Sequence, residues 1–127
     1  MKVGIKNQIK KTVVEELTAK VMGSGRLDVF ATPAMVAMME EAAHTSVEAE
    51  LEEGQGTVGT SMTVSHLAAT PVGMEVTCES ELVEVDGRKL VFEIKAMDEA
   101  GLIGEARHER FIIENEKFLA KTNAKRK

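Results

Sequence analysis

The sequence predicts an α+β domain in which a curved antiparallel sheet wraps one long central helix. Three observations indicate this fold: one long helical segment begins at Thr32, strand-like segments fill the chain after Gly56, and turn signals separate those segments. A lone helix has no second helix against which to bury its apolar face. The sheet is therefore its only available partner.

A first strand is expected before the helix. Residues 12–21, TVVEELTAKV, are strand-like, although their alternation of apolar and polar residues is imperfect. The glycines of GSG at residues 23–25 end this segment, and the loop RLDVFA leads into the helix.

The helix has a strong start signal and a wide apolar surface. Thr32 is a good N-cap residue, and Pro33 is favoured at the first helical position. The polar stretch EAELEEGQG ends the helix near Gly54, which gives about twenty residues and a rod of about 30 Å. The apolar surface consists of Ala34, Met35, Met38, Met39, Ala42 and Ala43.

Four strands are expected after the helix. The first is TVGTSMTVSHLA, and the others span residues 74–85, 90–97 and 102–113, with ATPVG, DGR and DEAG between them. In residues 74–85 the apolar phase shifts between Leu82 and Val83, which indicates a bulge. A single sheet leaves its edges exposed, so we expect a homodimer formed by edge pairing or helix packing.

The first of these four strands has one glycine in its middle. Gly59 has no side chain to pack, and a glycine in this position often marks a bulge or a close approach to the backbone. Strict alternation places the following residues on one inward face: Val58, Thr60, Met62, Val64 and His66.

The length and composition indicate one soluble domain, residues 1–127, that can bury a core. The one cysteine, Cys78, excludes an internal disulfide and fits a reducing compartment. We expect it to be a small buried hydrophobic residue rather than a nucleophile. No apolar run approaches the roughly 20 residues that span a bilayer, and the basic N-terminus lacks a signal-peptide core. We therefore expect a cytoplasmic protein with no membrane contact.

The net charge of −5 is unevenly distributed. The last eleven residues, KFLAKTNAKRK, carry five cations and no acids, so the rest of the chain has a net charge of −10. An acidic body argues against binding to nucleic acid, which requires a basic face. We expect residues 118–127 to form a solvated basic tail that is open to disorder. The alternative is that this tail contacts the phosphates of an anionic ligand.

The helix carries two candidate catalytic groups. Thr32 places a hydroxyl beside free amide donors at the positive end of the helix dipole, which suits a developing oxyanion. Glu40 lies about 12 Å further along the axis and is turned by about 80°, so both can border one cavity, whereas Glu41 faces solvent. Apolar neighbours would make Glu40 a stronger base. The alternatives are an N-cap role alone for Thr32 and an ordinary surface position for Glu40.

The histidines are further candidates. His66 ends the inward face of its strand, where a lone histidine is more often part of the core than a catalyst. His44 lies four residues after Glu40 and could pair with it, and His108 lies in the last strand. We expect no metal site, because the sequence contains no HExxH motif, cysteine pair or ligand triad. A phosphate-binding P-loop, GxGxxG and GxSxG are absent as well.

Three stretches together resemble the fluoroacetyl-CoA thioesterase-like group of hotdog-fold acyl-CoA thioesterases. They are GSGRLDVFATPAMVAMMEEAAH, GTVGTSMTVSHLAATPVGM and GEARHERFII, and the resemblance covers roughly Gly4 to Phe118. It implies the hotdog fold, hydrolysis of a CoA thioester without a cofactor, and a homodimer or higher oligomer whose subunits join their sheets.

The same resemblance implies a set of site residues. The catalytic threonine, glutamate and histidine of this group match Thr32, Glu40 and His66. The glycine whose backbone amide polarises the thioester carbonyl matches Gly59, and an arginine that is structural or near the ligand matches Arg110.

The sequence predicts a size class for the acyl group and leaves the reaction type open. Aromatic residues before the helix accompany fluoroacetyl specificity in this group, and here VMGSGRLDVF offers only Phe30, so we expect a short or medium acyl group. Both a covalent acyl-enzyme and direct hydrolysis are open. The alternatives to a thioesterase are a non-catalytic module that binds a CoA ester, and a hotdog hydratase or dehydratase, which releases no thiol.

Overall fold

The computed structural model describes residues 1–126. Within this part of the chain, five strands form one antiparallel sheet in the order β1-β3-β4-β5-β2, so β1 and β2 are its edges. The strands are β1 (Lys6–Thr12), β2 (Gln55–His66), β3 (Glu75–Asp86), β4 (Lys89–Asp98) and β5 (Gly101–Glu114), and the α-helices are α1 (Ala19–Met22), α2 (Thr32–Ser46) and α3 (Asn115–Asn123).

The predicted arrangement of a long helix inside a sheet is confirmed. Helix α2 contacts all five strands, which requires the sheet to curve around it. The apolar face predicted for the helix is buried in full, and it packs on inward side chains of β3 and β4: Val76, Leu82, Leu90, Phe92 and Ile94. Cys78 also lies in this core with no exposed surface, and burial raises the pKa of its thiol to about 12. It is the small buried residue that the sequence predicted.

The prediction of a strand over residues 12–21 is wrong. Strand β1 lies earlier, and residues 12–21 contain a short 3-10 turn, Glu15–Leu17, and most of α1. Thr18 explains the difference, because its side chain accepts a hydrogen bond from the backbone N–H of Val21 and caps α1. Gly23 ends α1 with a φ of 81°, as the glycine-rich break predicted.

Helix α2 differs from the prediction at both ends. Ala31 occupies the N-cap position and Thr32 is the first helical residue, so the prediction that Thr32 is the cap is wrong. The helix has 15 residues and ends at Ser46, not near Gly54. In its last turn the hydroxyls of Thr45 and Ser46 each donate to a backbone carbonyl at 2.6 Å. Such bonds compete with the helical ladder and favour termination.

The bulge predicted near Leu82 is present, and β2 contains another. The register of β3 against β4 shifts between Leu82 and Glu84, and that of β2 against β5 shifts between Gly59 and Ser61. One extra residue reverses the alternation of a strand. The single inward face predicted for β2 is therefore wrong: Met62, Val64 and His66 share a face after the bulge, and Thr57 and Gly59 face inward before it.

Two polar side chains join the sheet to α2. The carbonyl of Ala42 accepts hydrogen bonds from Nδ2 of Asn7 on β1 at 3.0 Å and from Oγ of Ser80 on β3 at 3.2 Å.

Helix α3 follows β5 directly, and its side chains are exposed. It covers residues 118–123 of the segment that was expected to form a basic tail. Lys127, the last residue of that segment, lies outside the described residues. None of the helices described is long and apolar enough to cross a membrane.

Candidate active site

Thr32 and His66 form a hydrogen-bonded pair at the N-terminal end of α2. Oγ1 of Thr32 lies 2.6 Å from Nδ1 of His66, the last residue of β2. Thr32 makes no capping bond to the helix backbone, so its hydroxyl is free to meet the imidazole. A nucleophile or water-positioning hydroxyl and its base are expected at this distance.

The imidazole of His66 is held neutral by its surroundings. Burial lowers the pKa of His66 from its ordinary value of 6.5. In the tautomer with Nδ1 unprotonated, the ring accepts the proton of the Thr32 hydroxyl. Nε2 is buried and makes no hydrogen bond of full geometry among residues 1–126, although the backbone of Ala68 is close enough to the ring to oppose the lowering of its pKa.

Glu40 pairs with an arginine and not with apolar groups. Its Oε2 lies 3.5 Å from Nη1 of Arg110, and its side chain is 42% exposed. The prediction of apolar surroundings is wrong, because α2 turns the neighbouring methionines into the core and turns Glu40 towards Gly59 and Arg110. Glu41 forms a surface ion pair with Lys11 at 3.0 Å, which confirms that it faces solvent.

Arg110 is buried and is anchored on β2. Only 7% of the residue is exposed. Nε donates to Oγ1 of Thr57 at 2.8 Å, and Nη2 donates to the Thr57 carbonyl at 2.9 Å. Burial lowers the pKa of the guanidinium while Glu40 raises it, and an arginine remains charged in any case. The guanidinium is therefore a fixed positive group beside the Glu40 carboxylate.

His108 completes this cluster. It is 1% exposed, its Nδ1 lies 2.8 Å from the carbonyl of Ser61, and its Nε2 lies 3.1 Å from Nη1 of Arg110. Burial is the main cause that lowers the pKa of His108. The sequence placed this residue in the last strand but gave it no role. Its i, i+2 spacing from Arg110 on one strand was the available signal, since it places both side chains on the same face.

Gly59 leaves the space that the cluster occupies. A Cβ atom at this position would lie 2.9 Å from Oε2 of Glu40, 3.1 Å from Cε1 of His108 and 3.4 Å from Nη1 of Arg110. Both features expected of a glycine in mid-strand are therefore present, because Gly59 adjoins the β2 bulge and other groups approach its backbone closely. The groups that approach it are side chains of the chain itself.

The sequence-predicted residues lie in two separate groups. Thr32 and His66 form the first, and Glu40, Gly59 and Arg110 form the second. Gly59 and His66 are seven positions apart on β2, about 23 Å of extended backbone. Within one chain, Glu40 and His66 therefore do not converge.

Two other points from the sequence concern His44 and metal binding. His44 does not pair with Glu40, because its Nδ1 lies 3.4 Å from Oε1 of Glu48 one turn later. Across residues 1–126, no group of three or more His, Cys, Asp and Glu side chains is placed to hold a metal ion.

Most of the chain matches the model of one protein family. Residues 13–116 match the model of the family FlK, described as fluoroacetyl-CoA-specific thioesterase. A fluoroacetyl-CoA thioesterase from Streptantibioticus cattleyicolor is 45% identical over 98 residues, which cover 77% of this chain and 70% of that protein.

Solved structures show the same arrangement. The fluoroacetyl-CoA thioesterase FlK superposes with a TM-score of 0.94 and 37% identity, covering 100% of this chain and 98% of that one. Variants of FlK have been solved with acetyl-CoA and with fluoroacetate and CoA. A hot-dog-like protein from Thermanaerovibrio acidaminovorans has a TM-score of 0.90 at 23% identity, covering 98% of this chain and 93% of that one. That last similarity concerns the fold alone.

Proposed function

The chain belongs to the FlK family of fluoroacetyl-CoA-specific thioesterases, and on that premise we propose how it hydrolyses an acyl-CoA thioester to a free acid and CoA. Its fold is the hotdog fold that the sequence predicted. The observation that carries the proposal is the hydrogen bond of 2.6 Å between Oγ1 of Thr32 and Nδ1 of His66. It joins a hydroxyl and a neutral imidazole at a helix N-terminus, where negative charge is stabilised.

A second copy of the chain completes the site in this proposal. Strand β2 is an edge of the sheet and is 12 residues long, so it offers unpaired backbone groups to another strand. If two β2 strands pair in antiparallel fashion about a centre between Met62 and Thr63, Gly59 lies opposite His66 of the partner subunit. This pairing brings Glu40 of one subunit towards the Thr32–His66 pair of the other. A symmetric dimer then has two equivalent sites.

The proposed reaction divides the chemistry between the two groups. The Gly59 N–H donates a hydrogen bond to the thioester oxygen, and the positive end of α2 further stabilises the charge that develops there. Glu40 and the Thr32–His66 pair activate the nucleophile, which is water or the Thr32 hydroxyl itself. The carbon–sulfur bond breaks, and the proton taken from the nucleophile passes to the departing sulfur. With water as the nucleophile, the products are a carboxylic acid and the free thiol of CoA. With Thr32 as the nucleophile, the thiol leaves first, and a water then hydrolyses the acyl ester on Thr32, which releases the acid and restores the hydroxyl.

The acyl group is proposed to be short or medium in length. The only aromatic residue in the segment before α2 is Phe30, and it is 2% exposed, so it lies in the core rather than over the site. The exposed apolar side chains of that segment are aliphatic: Val21, Met22 and Leu27. A variant of the relative FlK has been solved in complex with acetyl-CoA, whose acyl group is of this size class.

The test is a screen of acyl-CoA esters with a reagent that detects free thiols. We expect thiol release by the wild type and a loss of about 10²–10⁴ in kcat for Glu40→Gln and His66→Ala, which is the usual contribution of acid–base groups. The control is Glu41→Gln, which alters only a surface ion pair. Equal rates in wild type and both site variants would refute the assignment. Tight CoA binding without turnover would indicate a binding module, and consumption of the ester without thiol would indicate a hydratase or dehydratase.

A mixing experiment tests the shared site. His66→Ala and Glu40→Gln damage different groups, so a mixed dimer keeps one site with both groups intact. Random exchange of subunits at equal amounts should restore roughly a quarter of wild-type activity, because half of the dimers are mixed and each has one working site. If both groups acted within one chain, the mixture would remain inactive.

We also propose that the protein acts as a homodimer or higher oligomer in the cytoplasm. The exposed edge of β2 supports the oligomer. The single free thiol, Cys78, is buried and unpaired, which supports a reducing compartment. Sedimentation at several concentrations tests the oligomer, and a monomer at working concentration with full activity would contradict it.

A further inference from the structure

We propose that His108 is a positioning residue: together with Arg110 it holds both sides of the β2 bulge and directs the guanidinium at Glu40. The inference deepens the proposed function and rests on it for its kinetic test. Its structural test is independent of any activity.

The hydrogen bonds of His108 admit only one form of the ring. The carbonyl of Ser61 can only accept, so Nδ1 must carry a proton and donate to it at 2.8 Å. A guanidinium can only donate, so Nε2 must be unprotonated to accept from Nη1 of Arg110 at 3.1 Å. An imidazolium would direct a second N–H at a cation. The site therefore selects the neutral ring with the proton on Nδ1.

The two side chains hold β2 on either side of its extra residue. Arg110 lies opposite Gly59 and His108 lies opposite Met62, so two steps along β5 face three steps along β2. Arg110 bonds to Thr57, which precedes the bulge, and His108 bonds to Ser61, which follows it. The backbone between these anchors includes Gly59. Its position is set by β5 side chains in addition to the strand ladder.

The same contacts also orient the carboxylate of Glu40. Arg110 uses Nε and Nη2 on Thr57, which leaves Nη1 for His108 and Glu40. Because the planar guanidinium is held at three nitrogens, its Nη1 has one fixed direction. Without the acceptor Nε2 of His108, Nη1 would be free to tilt, and a misplacement of about 1 Å in a site can cost about 10²-fold in rate.

The surroundings of His108 contain one cation and one carboxylate. Arg110 lies beside it on β5 and Glu40 faces it from α2, while the Phe92 ring of β4 lies 6.3 Å away and Ser61 of β2 accepts its proton. Burial, the largest effect, and Arg110 lower the pKa of His108, whereas the hydrogen bond to Ser61 and the charge of Glu40 raise it. On acidification, uptake of a proton at Nε2 would break the contact with Arg110.

The kinetic test uses two substitutions, each of which can keep one of the two hydrogen bonds of His108. His108→Asn places an amide N–H near the position of Nδ1, and His108→Gln places an amide oxygen near the position of Nε2. We expect each to lower kcat by about 10- to 100-fold while KM changes by less than about threefold. The matched controls are His44→Asn and His44→Gln, at a half-exposed histidine paired with Glu48, and they should retain wild-type kcat. A kcat within twofold of wild type for both His108 variants would overturn the proposal.

The structural test is nitrogen-15 NMR of the folded wild type. We expect a protonated Nδ1 and an unprotonated Nε2 for His108. We also expect slow exchange of the Arg110 side-chain N–H groups, which becomes faster in His108→Asn, because that variant lacks their acceptor, than in His108→Gln, which keeps it. A proton on Nε2 at neutral pH, or unchanged Arg110 exchange in folded His108→Asn, would overturn the clamp. A wild type that hydrolyses no acyl-CoA would refute the proposed function, and the clamp would then be decided by this measurement alone.

Discussion

Oγ1 of Thr32 stands 2.6 Å from Nδ1 of His66, and this contact joins the first residue of α2 to the last residue of β2. The two residues are 34 positions apart in the chain. Neither element could form the pair alone, because the hydroxyl comes from a helix end and the imidazole from an edge strand. The pair can exist only because the sheet curves around α2 and Ala31, not Thr32, is the N-cap.

Replacing Thr32 by valine should separate catalysis from helix stability. Valine keeps the shape and removes the hydroxyl, so we expect kcat to fall by about 10²-fold or more while Thr32→Ser retains activity. The side-chain hydrogen bond described for Thr32 is the one to His66, so the free energy of unfolding should fall by about 1 kcal/mol or less. Urea unfolding checks this value, in wild type and in a His66→Ala background. A further loss of about 1 kcal/mol in that background, where the bond to His66 is already absent, would restore the capping role that the structure rejects.

Adjacent glutamates on α2 provide a matched pair of substitutions. Glu40 faces Arg110, whereas Glu41 faces solvent and Lys11. We expect Glu40→Gln to lose about 10²–10⁴ in kcat and Glu41→Gln to stay within twofold of wild type. The exposed ion pair of Glu41 should contribute less than about 1 kcal/mol to stability. Steady-state kinetics on one acyl-CoA decides between them, and equal losses would contradict the assignment.

A methyl group at Gly59 should disturb the site more than the fold. The added Cβ of Gly59→Ala meets Oε2 of Glu40 at 2.9 Å and Cε1 of His108 at 3.1 Å. The flexible carboxylate can turn away, but His108 is buried, so we expect a loss of about 1–3 kcal/mol in stability from overpacking. The displaced Glu40 should lower kcat at least about tenfold. Lys95→Ala, on the exposed face of the central strand β4 and away from the β2 edge, is the control and should change neither quantity appreciably.

Stability and activity should both decline as the solution is acidified below pH 6.5. The pKa values of His66 and His108 are lowered in the folded chain, so the unfolded chain binds more protons just below the ordinary value of 6.5. Stability therefore rises with pH through that window and is lost as pH falls towards the folded pKa values. Urea midpoints measured between pH 7 and pH 5.5 should show this slope in wild type and a smaller slope in His108→Gln.

The pH profile of kcat/KM should follow the same direction. Neutral His66 is needed to accept the proton of the Thr32 hydroxyl, so kcat/KM should fall on acidification with a midpoint below 6.5. A midpoint above 6.5 would show that the histidine is not desolvated in the active enzyme.

Much of the fold was predictable because it depends on local pattern and on the need to bury one helix. The alternation of β3, β4 and β5 identified the strands, and the segment DGR identified the hairpin turn between β3 and β4. In the structure Gly87 of that turn has a φ of 62°. The first strand was misplaced because the residues of 12–21 favour extended backbone weakly. There the hydroxyl of Thr18 stabilises a short helix instead.

The sequence by itself determined the start of α2 to within one residue, its buried face, the four strands after it, the role of Cys78, and the residue types that resemble a thioesterase site. Tertiary structure alone decided which groups meet. The extra residue in β2 reverses its alternation and turns Gly59 towards Glu40, and the contact of His108 with Arg110 then follows from the register of β5. Such pairings depend on register and curvature over long separations in the chain, and no local spacing specifies them.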